Sequence, residues 1–306
     1  MRYEEFKEQL VAEVKKYYGD TAIVTAEDVI KNNGQSYEGL KIMKHSKHQK
    51  HQVMPVIQLQ HVYERYQQEE MELEQFAKQL CRFLEKEEEN PVITAFADKL
   101  SQWDKVKEQV YPVLMLTKKN QDLLKSLVTT KFLDMSVIYR ICETTEEDGL
   151  YSISINPAML NNYGITVEQL HEQAVKNLKK QDYQFISMES YARQLLQFMG
   201  MEEEKYLKKD YDYVPMYVLT NENKLYGASG ILDKEQLQEF ADGKNYFIIL
   251  SCVHEAILVP DDGGKDKEEL NKIIKETYDT VVMEEERLSE HCYYYNGATG
   301  EISMDE

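Results

Sequence analysis

Two apolar runs of strand length, NYFIIL at 245–250 and EAILVP at 255–260, are separated only by SCVH. A parallel pairing needs a crossover of a dozen or more residues, so a link this short leaves one solution, an antiparallel hairpin. The same arrangement recurs along the chain. TAIVTAEDVI is followed by Asn-Asn-Gly and QSYEGLKIMK, and SVIYRIC at 136–142 precedes LYSISI at 150–155 across the acidic turn ETTEEDG. MYVLT at 216–220 precedes LYGASGIL at 225–232 around NENK, and CYYYNGATGEIS turns on Asn-Gly. Turn formers set between β-branched and aromatic runs predict a hairpin at each place.

Segments of helical period alternate with these pairs. YEEFKEQLVAEVKKYY carries Phe6, Leu10, Val14 and Tyr17 on one stripe and stops at Gly19. MELEQFAKQLCRFLEK, 71–86, gathers Leu73, Phe76, Ala77, Leu80, Phe83 and Leu84 on one face, and VMPVIQLQHVYERYQQ passes from strand into helix. A further helix holds Phe96, Leu100, Trp103 and Val106, and another runs from about Asp266 to Tyr278. Thr166 and Gln169 form a capping-box pattern ahead of VEQLHEQAVKNL, and Asp233 and Gln236 repeat the spacing before EQLQEFA. TVEQLHEQA and DKEQLQEFA share Glu, Gln, Leu, Glu and Ala at matching places, which points to common helix grammar, with a duplicated hairpin-plus-helix unit as the alternative. The expected class is α+β, antiparallel β-hairpins with helices packed on one face, in two lobes. The expected division is 1–110 and 111–306. The second lobe would hold two hairpin-plus-helix units, 111–200 and 213–306, joined by the acidic segment that starts at Gly200.

Charge narrows the partners. The chain has 55 acidic against 36 basic residues, a formal charge of −19, so phosphate backbones are repelled and nucleic acid is not an expected partner. No run approaches 18 uncharged apolar residues, and MRYEEFKEQLVAEV alternates charge where a leader would be basic and then apolar. A cytoplasmic protein with no membrane association is expected. Cys81, Cys142, Cys252 and Cys292 lie far apart with no CxxC pair, which fits free thiols in a reducing compartment.

Chemistry-bearing residues are sparse. His254-Glu255 invites comparison with HExxH zinc sites, but Leu258 stands where the second histidine must be. On an extended strand neighbouring side chains diverge, so His254 and Glu255 would not meet on one substrate. Together with Asp261 and Asp262 of the DDGG turn they are the candidates for a hydrolase-type centre. Their alternative roles are structural, as a hairpin histidine and as turn and cap formers. In KIMKHSKHQKHQ, 41–52, His45, His48 and His51 repeat every three residues and are the candidate metal ligands. Lys41, Lys44, Lys47 and Lys50 repeat at the same interval and oppose a cation, which favours a solvated loop. GxxxxGK[ST] and GxSxG are absent, GASG at 227–230 lacks the GxGxxG spacing, and DDGG lacks the acid spacing of an EF-hand; no cofactor is expected. Among 22 tyrosines, Tyr293, Tyr294 and Tyr295 are candidates for a surface that meets a protein partner, or for an ordinary strand facing both ways.

VPMYVLTNENKLYGASGIL, LQEFA, FIILSCVHEAILVPDDGG and HCYYYNGATGEI resemble the C-terminal half of the bacterial family of unknown function DUF5688. YEEFKEQL, IKNNGQSYEGL, FLDMSVIYRI and INPAMLNNYGITVEQLHEQAVKN resemble its N-terminal half. A more distant similarity, through YPVL, INPAMLNNYGIT and the hairpin carrying His254, is to the family DUF1444. The basic KHSKHQKHQ stretch departs from the pattern. The resemblance implies a gut Firmicutes setting and a cytoplasmic location, and it carries no activity, substrate or catalytic residue. The expectation is therefore a non-catalytic binding or regulatory module, with a small-molecule hydrolase near His254, Asp261 and Asp262 as the alternative.

Overall fold

The computed structural model describes residues 1–44, 56–88, 90–145, 149–201, 216–264 and 266–304. The chain forms two compact units, Met1–Val106 and Lys107–Glu306, and its class is α+β with antiparallel sheets.

In the first unit, helix α1 (Tyr3–Tyr18) precedes β1 (Ala22–Ile30), β2 (Ser36–Lys44) and β3 (Val56–Gln58), then α2 (Leu59–Gln68) and α3 (Leu73–Glu88). The strands pair antiparallel in the order β1-β2-β3. The first turn needs left-handed backbone, at φ +58 for Asn33 and +73 for Gly34, which explains the Asn-Gly there. Phe6, Leu10 and Val14 of α1, Leu40 and Ile42 of β2, and Phe76 and Cys81 of α3 form one core. The buried stripe of α1 ends on Tyr18 instead of the expected Tyr17, since Phe6, Leu10, Val14 and Tyr18 keep a strict i, i+4 spacing. On the sheet, the paired Ile23 and Met43 stay exposed while Val24 and Ile42, paired on the opposite face, are buried, so helices cover that second side. The helix expected over Phe96–Val106 is two, Pro91–Lys99 and Trp103–Val106. Asn90 accepts from the Val92 amide and Pro91 occupies the first turn, so the start is fixed by side-chain chemistry.

The second unit holds two antiparallel sheets. The first contains β4 (Val110–Leu116), β5 (Thr129–Phe132), β6 (Met135–Thr145) and β7 (Gly149–Ser154). The long β6 pairs with β4 on one edge, while its other edge is shared between β5 and, further along, β7. The second sheet contains β8 (Tyr183–Ser187), β9 (Tyr217–Asn221), β10 (Tyr246–Ile249), β11 (Ala256–Pro260), β12 (Cys292–Asn296) and β13 (Glu301–Ser303). Its order is β13-β12-β10-β11-β9-β8. The β10–β11 and β12–β13 hairpins lie where the sequence puts them. LYGASGIL does not. Tyr226 takes a left-handed φ of +56 and Gly227–Leu232 coils as a buried 3₁₀ turn against β9 instead of extending beside it. The reason is steric: a Cβ on Gly227 would fall inside the His254 carbonyl oxygen and 2.7 Å from Thr220 Oγ1. The second neighbour of β9 is instead β8, at the sheet edge.

Helix Val167–Leu178 carries the capping box its sequence predicts, with Thr166 Oγ1 accepting from the Gln169 amide and Gln169 Oε1 from the Thr166 amide. Leu170, Ala174 and Leu178 are buried. Asn177 is buried among them and fully used: Nδ2 donates to the carbonyls of Lys107, at 2.6 Å, and Val110, at 2.9 Å, and Oδ1 accepts from Gln173. This side chain ties the helix to the entry of β4. Asn177→Leu would leave both carbonyls without their donor, and a loss of about 2–4 kcal/mol is expected in urea unfolding. A loss below about 0.5 kcal/mol, the range of ordinary surface substitutions, would contradict that role.

Candidate functional site

His254 and Glu255 do not lie on a strand. They stand in the connection Ser251–Glu255 between β10 and β11, which is held down by the Val253 amide donating to the Glu286 carbonyl and by a bridge between Cys252 and Arg287. The His254 imidazole, half-buried, has Nε2 3.3 Å from Glu286 Oε1, while Nδ1 accepts a long hydrogen bond, 3.5 Å, from the Tyr226 amide. An amide can only donate, so Nδ1 must offer a lone pair and Nε2 carries the proton toward Glu286. Both nitrogens are engaged. Glu255 points elsewhere and accepts from Tyr191 Oη at 3.1 Å, on the helix Met188–Phe198. Burial, with the Glu255 charge beside it, holds the Tyr191 phenol well above its ordinary pKa, so it is a neutral donor.

The two aspartates stand apart again. Asp261 Oδ2 accepts from Tyr294 Oη at 2.8 Å, and Asp262 Oδ1 accepts from the Gly264 amide, closing the turn ahead of the helix Lys267–Val281. Both are exposed. The helix itself is capped by Asp266, which accepts from the Glu269 amide. The structure therefore gives His254, Glu255, Asp261 and Asp262 separate partners and brings no two of them onto one point. His45, His48 and His51 lie outside the described residues. Among the described residues no three His, Cys, Asp or Glu side chains are grouped as a metal would need.

The tyrosine run is also repartitioned. Tyr293 and Tyr295 are fully buried and Tyr294 half-buried, so the first two form core and not an outward contact surface. Tyr293 Oη donates to Asp134 Oδ1 at 2.7 Å, and His291 Nε2 lies 3.1 Å from Asp134 Oδ2. This links the β5–β6 turn to β12. No local pattern announces it, because its members come from distant parts of the chain.

A cleft of about 340 Å³ opens where β4 and β6 of one sheet meet the ends of β8 and β9 of the other. Gln109, Tyr111, Glu143, Tyr183, Asn221 and Tyr226 are among its walls. Asn221 shapes one side, since its side chain donates to the Leu225 carbonyl and accepts from the Leu225 amide, folding the NENK turn back on itself. Gln109 Nε2 donates to Glu143 Oε2 at 3.0 Å and leaves Oε1 buried with no partner among the described residues. Tyr226 joins the cleft to His254: their rings stack at 25° with centroids 6.1 Å apart, and the Arg140 guanidinium lies 5.6 Å from the same tyrosine ring. A bulky residue at positive φ costs free energy and persists only where its surroundings hold it. Here the His254 ring, the Arg140 charge and the amide bond to Nδ1 do so. His254 thus packs against a cleft wall on one side and meets Glu286 on the other.

Burial raises the phenols of Tyr111 and Tyr183, which stay neutral hydroxyls. It also pushes the Cys142 thiol at the cleft up to about 11 against the pull of Arg140, and the Cys252 thiol up to about 12 with the Glu255 charge adding to it. Both shifts favour the protonated thiol, the less reactive form, at neutral pH.

A sequence profile for the family of unknown function DUF5688 matches residues 3–297. The chain belongs to that family. No curated protein and no solved structure matches it at a significant level. In this DUF5688 protein the matched span takes in every cleft wall and the whole β10–β11 connection.

The thiol environments give a measurable consequence. At pH 8, Cys142 and Cys252 of the folded protein are expected to alkylate at least about a hundredfold more slowly than in denaturant, followed by mass spectrometry of their peptides. Equal rates in the two states would show an accessible, reactive thiol.

Proposed function

We propose that this DUF5688 protein is a non-catalytic cytoplasmic binding module that holds a small polar ligand in the cleft beside Tyr226. The observation that carries the reading is the pairing of a strained wall residue with an engaged histidine. Tyr226 is held at φ +56 facing a polar cavity, and His254, the best acid–base candidate of the sequence, has Nδ1 on the Tyr226 amide and Nε2 on Glu286. A general acid or base needs a nitrogen within reach of substrate. The cleft also has the make-up of a recognition pocket, with neutral phenols, amides and carboxylates able to donate and accept around a small molecule. Four free cysteines, three of them buried, are in keeping with a reducing compartment.

The reading is tested by screening a panel of small polar metabolites by NMR against the protein and against Asn223→Trp, which places a large ring at the exposed rim of the cleft. At least one compound is expected to shift resonances of Tyr111, Tyr183 and Gln109 with a Kd in the micromolar to millimolar range, and to bind at least about tenfold more weakly to the variant. A panel that leaves those resonances unmoved, or binding that the variant does not change, overturns it. Turnover of ester or phosphoester substrates that is lost in His254→Ala would favour the hydrolase alternative instead.

A further inference from the structure

We propose that the ligand of this cleft is a small organic cation carrying an amine or similar charged nitrogen. The inference rests on the binding reading above and gives it a chemical class. Three carboxylates, Glu143, Asp182 and Glu222, face the cleft against one ammonium, Lys180. That ammonium is already ion-paired with Glu108, so its charge is largely neutralised where a ligand would sit. Asp182 and Glu222 have no ion-pair partner among the described residues. An anion entering here meets uncompensated negative charge, and a neutral molecule gains nothing from it.

The uncharged walls point the same way. Gln109 already gives its amide nitrogen to Glu143, and its carbonyl oxygen is an acceptor that no described residue satisfies. A ligand that brings N–H donors suits this acceptor and the carboxylates beside it. Tyr111, Tyr183 and Tyr226 add aromatic surface, which attracts cations through the ring quadrupole. The Arg140 guanidinium already lies 5.6 Å from the Tyr226 ring, so the rings left to a ligand cation are those of Tyr111 and Tyr183. The net charge of −19 favours approach of a cation over an anion from any direction.

Three probes of equal length and different charge test the class: putrescine, the matching four-carbon diol, and succinate. Each is titrated by NMR against the full chain, read at Tyr111 and Tyr183, and repeated with Glu143→Gln and with Glu222→Gln. Glu222 is exposed, so its variant reports on charge without a folding risk. Putrescine is expected to bind at least about tenfold more tightly than the diol or succinate, and to lose about three- to tenfold in each variant. Diol or succinate binding the cleft as well as putrescine overturns the cationic class and leaves the binding module standing. Silence from all three probes also overturns the class, and the broader metabolite panel then decides the binding reading on its own.

Discussion

The coil Gly227–Leu232 lies so close to β9 and to the β10–β11 connection that its first residue has no room for a side chain. Much of the second unit's geometry follows from that contact. Thr220 Oγ1 donates to the His254 carbonyl at 3.1 Å, fixing the connection over β9, and the missing Cβ at Gly227 lets the coil lie against both. Gly230 repeats the device one turn on, where a Cβ would meet the Tyr183 ring at 2.7 Å. Because the coil is pinned at both glycines, the residue before it, Tyr226, has little freedom left. It is driven to φ +56 and onto the rim of the cleft.

That placement decides what the chemistry of the connection can be. A histidine that accepts from one amide and donates to one carboxylate is a spacer with directional bonds, and its neighbour Glu255 is occupied by Tyr191. The strain in Tyr226 is offset by packing against His254 and Arg140, which sets its ring as a wall of the cleft. The thiols nearby are held toward the protonated form by burial. The cleft beside them has set walls of tyrosine, amide and carboxylate side chains.

Much of the fold was legible because local chemistry and tertiary packing agree. The α1 stripe, the Thr166–Gln169 box, the Asn-Asn-Gly turn and the NYFIIL–EAILVP hairpin each depend on neighbours within a few residues, and each forms as its residues predict except that the stripe ends on Tyr18 and not Tyr17. LYGASGIL misled because its apolar residues are read as strand-forming, whereas its two glycines are there to permit backbone contact with β9 and β8, which one dimension does not display. The divergence of His254 and Glu255 was anticipated, but from strand pleating; the actual cause is a connection in which each side chain has its own partner. The cleft itself was not legible. Gln109, Glu143, Tyr183 and Asn221 come from four separate stretches, and no spacing rule links them. Tyr293 and Tyr295 went the other way, since a run of tyrosines reads equally as surface or as core until a sheet is laid over it.

The claim on which this account turns is that the His254 ring is committed on both sides, and the nitrogen spectrum of its imidazole tests that directly. With the signal assigned by a His254→Gln variant, ¹⁵N NMR at neutral pH should show the proton on Nε2 and a lone pair on Nδ1, as required by a Tyr226 amide donor and a Glu286 acceptor. A proton found on Nδ1, with Nε2 bare and open to solvent, would contradict the account and return His254 to the list of working acid–base groups.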